Sequence, residues 1–449
     1  MYIRKLTSQV ILDYGRAEVH TQAGTLRGVI SDGTCIFRGV RYAQAQRFHL
    51  PEPVTPWEGV KEAITYGNAC PEIFTCVPHD QYTVPHYFTV QSEDCQFLNI
   101  WTQSIEKGVK KPVMVWFHGG GMMTGSGVEH YAYDGEERSR FGDVVVVTLN
   151  HRLNVLGFLD LSAYGEEYRY SGNAGLADLV AALQWIHENI AAFGGDPDNI
   201  VICGQSAGAR SVQAQICTPL NDGLIKGAII QSAVSMMFGD EDQSMAAIPS
   251  LQEAEKYGAD FLQTIGIDSL EEAEKTDAHE LMRRLDKASE KTRYVFGLCT
   301  DGRFVRESAP SAYYNNRVAD IPLIVGVCRG ETQSPFIKGS LNYQEFLQKA
   351  KKYGDREAEF LRLAEVTNDE EADALMAGDA FNNFLAGTRG FCELRSSMGQ
   401  KVYYYIFDHD IPGDDAGSFH GSDLWFMFDS LGNSWRPFEG KHYDLARQV

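Results

Sequence analysis

Ser206 stands where a nucleophile would be held. Residues 200–208 read IVICGQSAG, an apolar run expected to be a strand, then Gly204-Gln205-Ser206-Ala207-Gly208, then helix-compatible sequence from Ala209. A serine hydroxyl is a weak nucleophile and must be held out toward a base. A tight strand-to-helix turn does this, and glycines two positions either side leave room for the crowded backbone. The helix that follows turns its free N–H groups and positive dipole end toward developing negative charge. In a chain with 43 glycines the pattern alone is weak, and the strand before it and helix after it give it weight. The plainer reading of the same residues is a serine capping a helix.

A second glycine turn ends another apolar run, VMVWFHGGG at 113–121. Acyl transfer passes through a tetrahedral intermediate whose oxygen becomes negative, and backbone N–H groups reach it only where the main chain comes close. The expected donors are Gly120, Gly121 and Ala207. No Gly-Lys-Ser/Thr follows, so the turn is not a phosphate loop. His118 reads as a structural hydrogen-bonder. The base must accept and return a proton near neutral pH, which calls for histidine. Of twelve histidines, His420 has the best setting, a small-residue loop after the run 402–407. An acid must hold its other nitrogen; Asp301, Asp414, Asp415 and Asp423 are candidates, although Asp414 and Asp415, adjacent in a Gly-flanked loop, read more naturally as solvated.

These turns need elements to carry them. Short β-branched runs alternate with helical stretches, which predicts an α/β fold with a mostly parallel sheet covered by helices. Strands are expected at 98–102, 113–117, 144–149, 200–203, 228–231, 321–327 and 402–407, and a helix over 173–193. Two helix-rich stretches, about 245–292 and 342–398, read as cap insertions or as plain core cover. There is no linker, repeat or low-complexity segment.

A formal net charge of −21 argues against nucleic acid and anionic membrane as partners. No signal-peptide run and no stretch of membrane-spanning length is seen. The nine cysteines are scattered, without zinc spacing or the density of a disulfide scaffold. A cytoplasmic location is the expectation.

Longer segments carry a family likeness. FRGVRYA at 37–43, PEPVTPWEGVKEA at 51–63, SEDCQFLNIW at 92–101, HGGG at 118–121, NHRLNVLGF at 150–158, NAGLADLVAALQWIHENIAAFGGDPDNI at 173–200 and GQSAG at 204–208 follow in order. The chain resembles the type-B carboxylesterase family over nearly its whole length. The resemblance implies a single α/β-hydrolase domain over 1–449 and a Ser–Glu–His triad in chain order. IPLIVGVCRGETQS at 321–334 resembles the segment with the acid, which makes Glu331 the match, and DDAGSFHGSDLWFMF at 414–428 the segment with His420. Arg47 with Glu93, and Arg152 with Asp178, match structural ion pairs. Ser211 reads equally as a brace behind the triad or as an ordinary helix serine, and Met122, Met123, Phe419 and Trp425, which flank motif residues, read equally as pocket lining or as core.

This chain departs from the family at several points. Arg41 stands where proline is usual, the 43–47 segment is shorter, and Gly330 replaces a common aspartate. Gln205 replaces the common glutamate beside the nucleophile, which removes a charge. Cys70 and Cys95 match positions that are bonded in secreted members, and here they are expected to be thiols.

The expected function is hydrolysis of small-molecule carboxylic esters through an acyl-enzyme, with no cofactor and no metal. Activity should rise with pH as His420 becomes neutral and then plateau. An amidase, carbamate hydrolase or thioesterase with the same triad, or a non-catalytic binding member, remains open from residues alone. Finally, 435–449 resembles only the opening of the family's closing segment. The expectation is that the last helices are absent and that the surface they would cover is apolar and exposed.

Overall fold

The nearly all-apolar runs form the middle of one large sheet, where both faces are buried. The computed structural model describes residues 16–73, 87–234, 248–289, 296–331, 342–377, 379–414 and 416–449. In chain order the strands are β1 (Glu18–His20), β2 (Thr25–Arg27), β3 (Val29–Ser31), β4 (Thr34–Arg41), β5 (Ala43–Gln44), β6 (Glu52–Pro53), β7 (Val60–Glu62), β8 (Phe97–Thr102), β9 (Lys111–Phe117), β10 (Val145–Leu149), β11 (Gly195–Gln205), β12 (Ile225–Gln231), β13 (Leu323–Cys328) and β14 (Val402–Phe407). Nine of them pair in the order β14-β13-β12-β11-β9-β10-β8-β4-β3. Pairing is parallel from β14 to β10 and antiparallel from β10 to β3.

The chain leaves β9 for β10 on one side and comes back to β11 on the other. Strand order therefore reverses beside β9, and crevices open outside the carboxyl ends of strands at such a point. The turns after β9 and β11 are the two glycine motifs.

The helices are α1 (Glu136–Gly142), α2 (Asn154–Phe158), α3 (Ala174–Asn189), α4 (Ala207–Cys217), α5 (Leu251–Thr264), α6 (Leu270–Lys275), α7 (Ala278–Ser289), α8 (Ala309–Tyr314), α9 (Tyr343–Ala350), α10 (Glu357–Ala364), α11 (Asp369–Ala377), α12 (Asp379–Ser397), α13 (Leu424–Met427) and α14 (Gly440–Ala446), and of these α1, α3, α4 and α12 pack directly on the sheet. The helix expected over 173–193 ends at Asn189. A 3₁₀ turn completes it, and Gly194 at φ 78° closes that turn in the left-handed region. β11 begins earlier than expected, at Gly195, and its register against β9 is irregular between Gly195 and Ile200. β13 begins later than expected, after Pro322, which has no N–H to give to the ladder.

The two helix-rich stretches differ. In the first, which runs beyond the described residues at both ends, Phe261, Leu281 and Leu285 join the main core. In the second, α12 lies on β13 and β14, while α9 to α11 close over a separate cluster of Phe346, Val366 and Ala372.

Both expected ion pairs form. Arg152 Nη2 and Nε donate to Asp178 at 2.7 and 2.9 Å, and the guanidinium also reaches the His49 carbonyl at 2.7 Å. A buried charge pair persists only with its remaining donors satisfied in this way. Arg47 pairs with Glu93 nearer the surface. Cys70 and Cys95 are buried and unbridged, and Cys76 lies outside the described residues. Near the C-terminal segment, Ala446 is buried and Tyr443 and Leu445 pack on the core, while Trp435, Val449 and, on the edge strand β14, Tyr403 and Tyr404 are exposed. No helix among the described residues is long and apolar enough to cross a membrane.

Candidate active site

Ser206 sits on a sharp turn between β11 and α4, at φ 57° and ψ −123°. Few non-glycine residues adopt that conformation, and it persists only when the surroundings enforce it. They do so here. The Ser206 N–H donates to the Gln231 carbonyl on β12 at 2.9 Å. The flanking glycines are demanded by space: a Cβ on Gly208 would lie 2.0 Å from the Phe117 carbonyl oxygen, and one on Gly204 would lie 2.5 Å from the Gly208 backbone. Ala207 is the first residue of α4, where backbone N–H groups have no partner within the helix.

The turn after β9 runs alongside. Gly120 is at φ 97°, and its carbonyl accepts from the N–H groups of Met123 and Thr124, both at 3.0 Å. Gly121 is also left-handed, at φ 66°, and among the described residues a Cβ there would meet nothing within 4 Å.

Glu331 and His420 come from loops 89 residues apart. A backbone bridge joins Gly330 to Phe419, with the Gly330 N–H donating to the Ser418 carbonyl at 3.0 Å. That bridge sets the next residues face to face. The Glu331 carboxylate accepts from the Cys328 N–H at 2.8 Å through Oε1 and meets His420 Nδ1 through Oε2. The glutamate side chain is fully buried, the imidazole is 21% exposed, and Phe384 stacks on the ring.

The other ring nitrogen does not meet Ser206. His420 Nε2 lies 2.9 Å from Nε2 of Gln205, the residue before the serine. Among the described residues Ser206 Oγ makes no hydrogen bond. The sequence marked Gln205 as a lost charge but gave no sign of this contact.

The rival acids that lie among the described residues are occupied elsewhere. Asp423 accepts from Tyr405 Oη at 2.7 Å and from Gln231 Nε2 at 2.8 Å, and burial holds its carboxyl above the usual range. Asp301 accepts from Asn173 and from the N–H groups of Arg303, Phe304 and Val305. Asp414 pairs with Arg436 at 2.7 Å, and Asp415 lies outside the described residues. Ser211 is buried in α4, with no hydrogen bond to Glu331 or His420 among the described residues. Phe419 and Trp425 line a small cavity behind the glycine turn, together with Gln205 and Glu129. Met122 is buried, and Met123 accepts the Phe296 N–H at its sulfur, 3.5 Å away.

Two carboxyls under the glycine turn had no signal in the sequence. Glu72 accepts from the Gly125 N–H at 2.5 Å, and burial raises its pKa to about 7. Glu129 is raised well above the carboxylate range, first by burial and then by Glu72. Among the described residues, no three His, Cys, Asp or Glu side chains are grouped so that they could hold a metal ion.

His118 behaves as the structural residue expected. Its Nδ1–H donates to the Gly119 carbonyl at 2.9 Å, and its ring stacks on His151 at 5.0 Å. Burial, then His151, lowers the pKa of His118 to about 3, and burial lowers that of His151 to about 4. An unfolded histidine titrates near 6.5, so below that pH the unfolded chain binds more protons than the native one. The stability from these two rings is complete above pH 6.5 and is lost as the pH falls toward 4. The His118→Gln variant should therefore lose less denaturation midpoint than the parent between pH 7 and 4.5 (roughly the window set by histidine linkage). Equal slopes in urea titrations would contradict this.

Comparison with known proteins adds the family context. The sequence profile of the Carboxylesterase family matches residues 15–378. The chain is 35% identical over 347 residues to the para-nitrobenzyl esterase of Bacillus subtilis strain 168, an alignment covering 75% of this chain and 67% of the esterase. It spans only 29% to 43% of the length of the bile salt-activated lipases, phenmedipham hydrolase and human carboxylesterase 3 that it also matches. Among solved structures, a PNB esterase superposes with a TM-score of 0.82 at 30% identity, covering 96% of this chain and 88% of that one. An esterase from the anaerobe Clostridium hathewayi, which can hydrolyse aliphatic aromatic polyesters, superposes with a TM-score of 0.75 at 36% identity, covering 97% and 88%.

Proposed function

The chain belongs to the carboxylesterase family, and from that premise we propose that it hydrolyses small-molecule carboxylic esters through Ser206, His420 and Glu331. Ser206 Oγ attacks the ester carbonyl carbon while His420 Nε2 takes the hydroxyl proton. Glu331 holds Nδ1–H and stabilises the imidazolium that forms. The N–H groups of Gly120, Gly121 and Ala207 receive the negative oxygen of the tetrahedral intermediate. Collapse expels the alcohol, which takes the proton from His420, and leaves an acyl group on Ser206. Water activated by His420 then attacks the acyl carbonyl, and the acid leaves with Ser206 restored. Every step uses groups of this chain and water.

One observation carries the reading. The Glu331 carboxylate meets His420 Nδ1, and the far side of that ring meets Gln205, the neighbour of a serine held in a conformation that ordinary packing avoids. A strained residue next to an oriented base is what nucleophilic catalysis needs and what mere helix capping does not.

The test is direct. The protein should turn over a short-chain p-nitrophenyl ester, should be labelled at Ser206 by a fluorophosphonate, and should keep its activity in a chelator. Absence of labelling together with absence of turnover on short- and long-chain esters would refute the reading.

A further inference from the structure

Gln205 occupies the one atom of His420 that a general base must keep free. We propose that Gln205 is a positioning residue, which holds His420 in its neutral, Nδ1-protonated tautomer by donating its side-chain amide to Nε2 until the hydroxyl of Ser206 takes its place. The inference rests on the reading of His420 as the base of an ester hydrolase.

The geometry supplies the first argument. The ring is held at both nitrogens, by Glu331 at Nδ1 and by the Gln205 amide at 2.9 Å from Nε2. A carboxylate can only accept, so Nδ1 carries the proton and Nε2 presents a lone pair. The Gln205 atom facing that lone pair must then be the amide nitrogen. This assignment follows from the chemistry of the ring rather than from the shape of the amide.

The second argument is that the amide lies in a slot built for it. Gln205 is only 3% exposed. A Cβ on Gly119 would lie 2.9 Å from its Oε1, and a Cβ on Gly421 would lie 3.5 Å from its Nε2. The amide thus lies between the glycine turn, where a side chain on Gly119 would collide with it, and the loop bearing His420, where one on Gly421 would just touch it.

The consequence is electrostatic. An amide N–H donor favours the neutral ring, because an imidazolium has no lone pair at Nε2 to accept it. Turning the amide over to accept from an imidazolium would exchange its two ends inside the slot. A carboxylate at the same position could only accept and would favour the charged ring. The glutamine at this position therefore keeps the base usable at lower pH than a glutamate would. The other titratable groups around the pair are Glu331 on the Nδ1 side, Asp423 and Cys328 beyond it, and Glu129 and His130 across the cavity from Gln205. A change confined to residue 205 leaves them all in place.

The experiment is the pH dependence of kcat/KM for a p-nitrophenyl ester with the parent, Gln205→Glu and Gln205→Met, each also labelled with a fluorophosphonate. The acid limb should move to higher pH by about one unit or more in Gln205→Glu. In Gln205→Met, which keeps the shape and loses the donor, it should move in the same direction by less. Acid limbs that coincide with the parent's in the variants that fold would overturn the proposal, as would a shift to lower pH in either. A role limited to packing would lower the rate without moving the limb. If the parent itself is not labelled at Ser206, the underlying reading fails instead. A labelled Ser206 with unmoved limbs isolates the failure to Gln205.

Discussion

Replacing Ser206 with alanine should lower kcat for a p-nitrophenyl ester by about 10⁴-fold or more and abolish fluorophosphonate labelling. The size follows from what is removed. Without Oγ no acyl-enzyme forms, and what remains is an attack by water assisted by the backbone donors alone. The variant should fold nearly as well as the parent. Ser206 Oγ makes no hydrogen bond among the described residues, and the strained backbone at φ 57° is equally unwelcome to either side chain. Unfolding midpoints within error of the parent, with turnover gone, are the expected pair of results. A variant still labelled stoichiometrically would move the nucleophile elsewhere.

Glu331→Gln should cost about 10³- to 10⁴-fold in kcat, with the nucleophile still present. The glutamate side chain is fully buried and holds two donors, the Cys328 N–H at 2.8 Å and His420 Nδ1–H. An amide of the same shape cannot serve both. If its oxygen faces Cys328, its NH₂ faces Nδ1, which must then be bare, and the proton moves to Nε2. His420 can no longer accept from Ser206. If the oxygen faces Nδ1 instead, the NH₂ opposes the Cys328 N–H in a fully buried position, and a buried donor is left unsatisfied. Labelling should therefore continue, far more slowly, unlike the loss expected at Ser206. Parent-like turnover would return the acid role to another carboxylate, and Asp423 is the nearest in sequence to His420. Stopped assays over hours separate slow labelling from none.

The strands that carry the glycine turns were legible because burial on both faces leaves an unbroken apolar run, as at 113–117 and 200–203. Their ends were less so. Gly195 joins β11 although GGDPDN reads as a turn, because β9 supplies a partner there that composition cannot foresee. The halves of the 342–398 stretch also look alike as sequence. Which of them packs on the sheet depends on what lies opposite.

The sequence by itself determined the places where the backbone has no choice. Ser206 between Gly204 and Gly208, and the run Gly119 to Gly121, are local constraints: a close approach or a left-handed residue admits few side chains, so the demand is written at the position itself. Only the tertiary structure decided which groups meet. Asp301, Asp414 and Asp423 are as well suited by type to hold a histidine as Glu331 is. The backbone bridge from Gly330 to Phe419 brings Glu331 alone to Nδ1 of His420, while Asp423 is turned toward Tyr405 and Gln231. The contact of Gln205 with His420 spans 215 residues. It exists because the loop after β14, tied to the end of β13 by the Gly330–Phe419 bridge, reaches back across the carboxyl ends of the strands to the turn after β11, an arrangement carried by no residue alone.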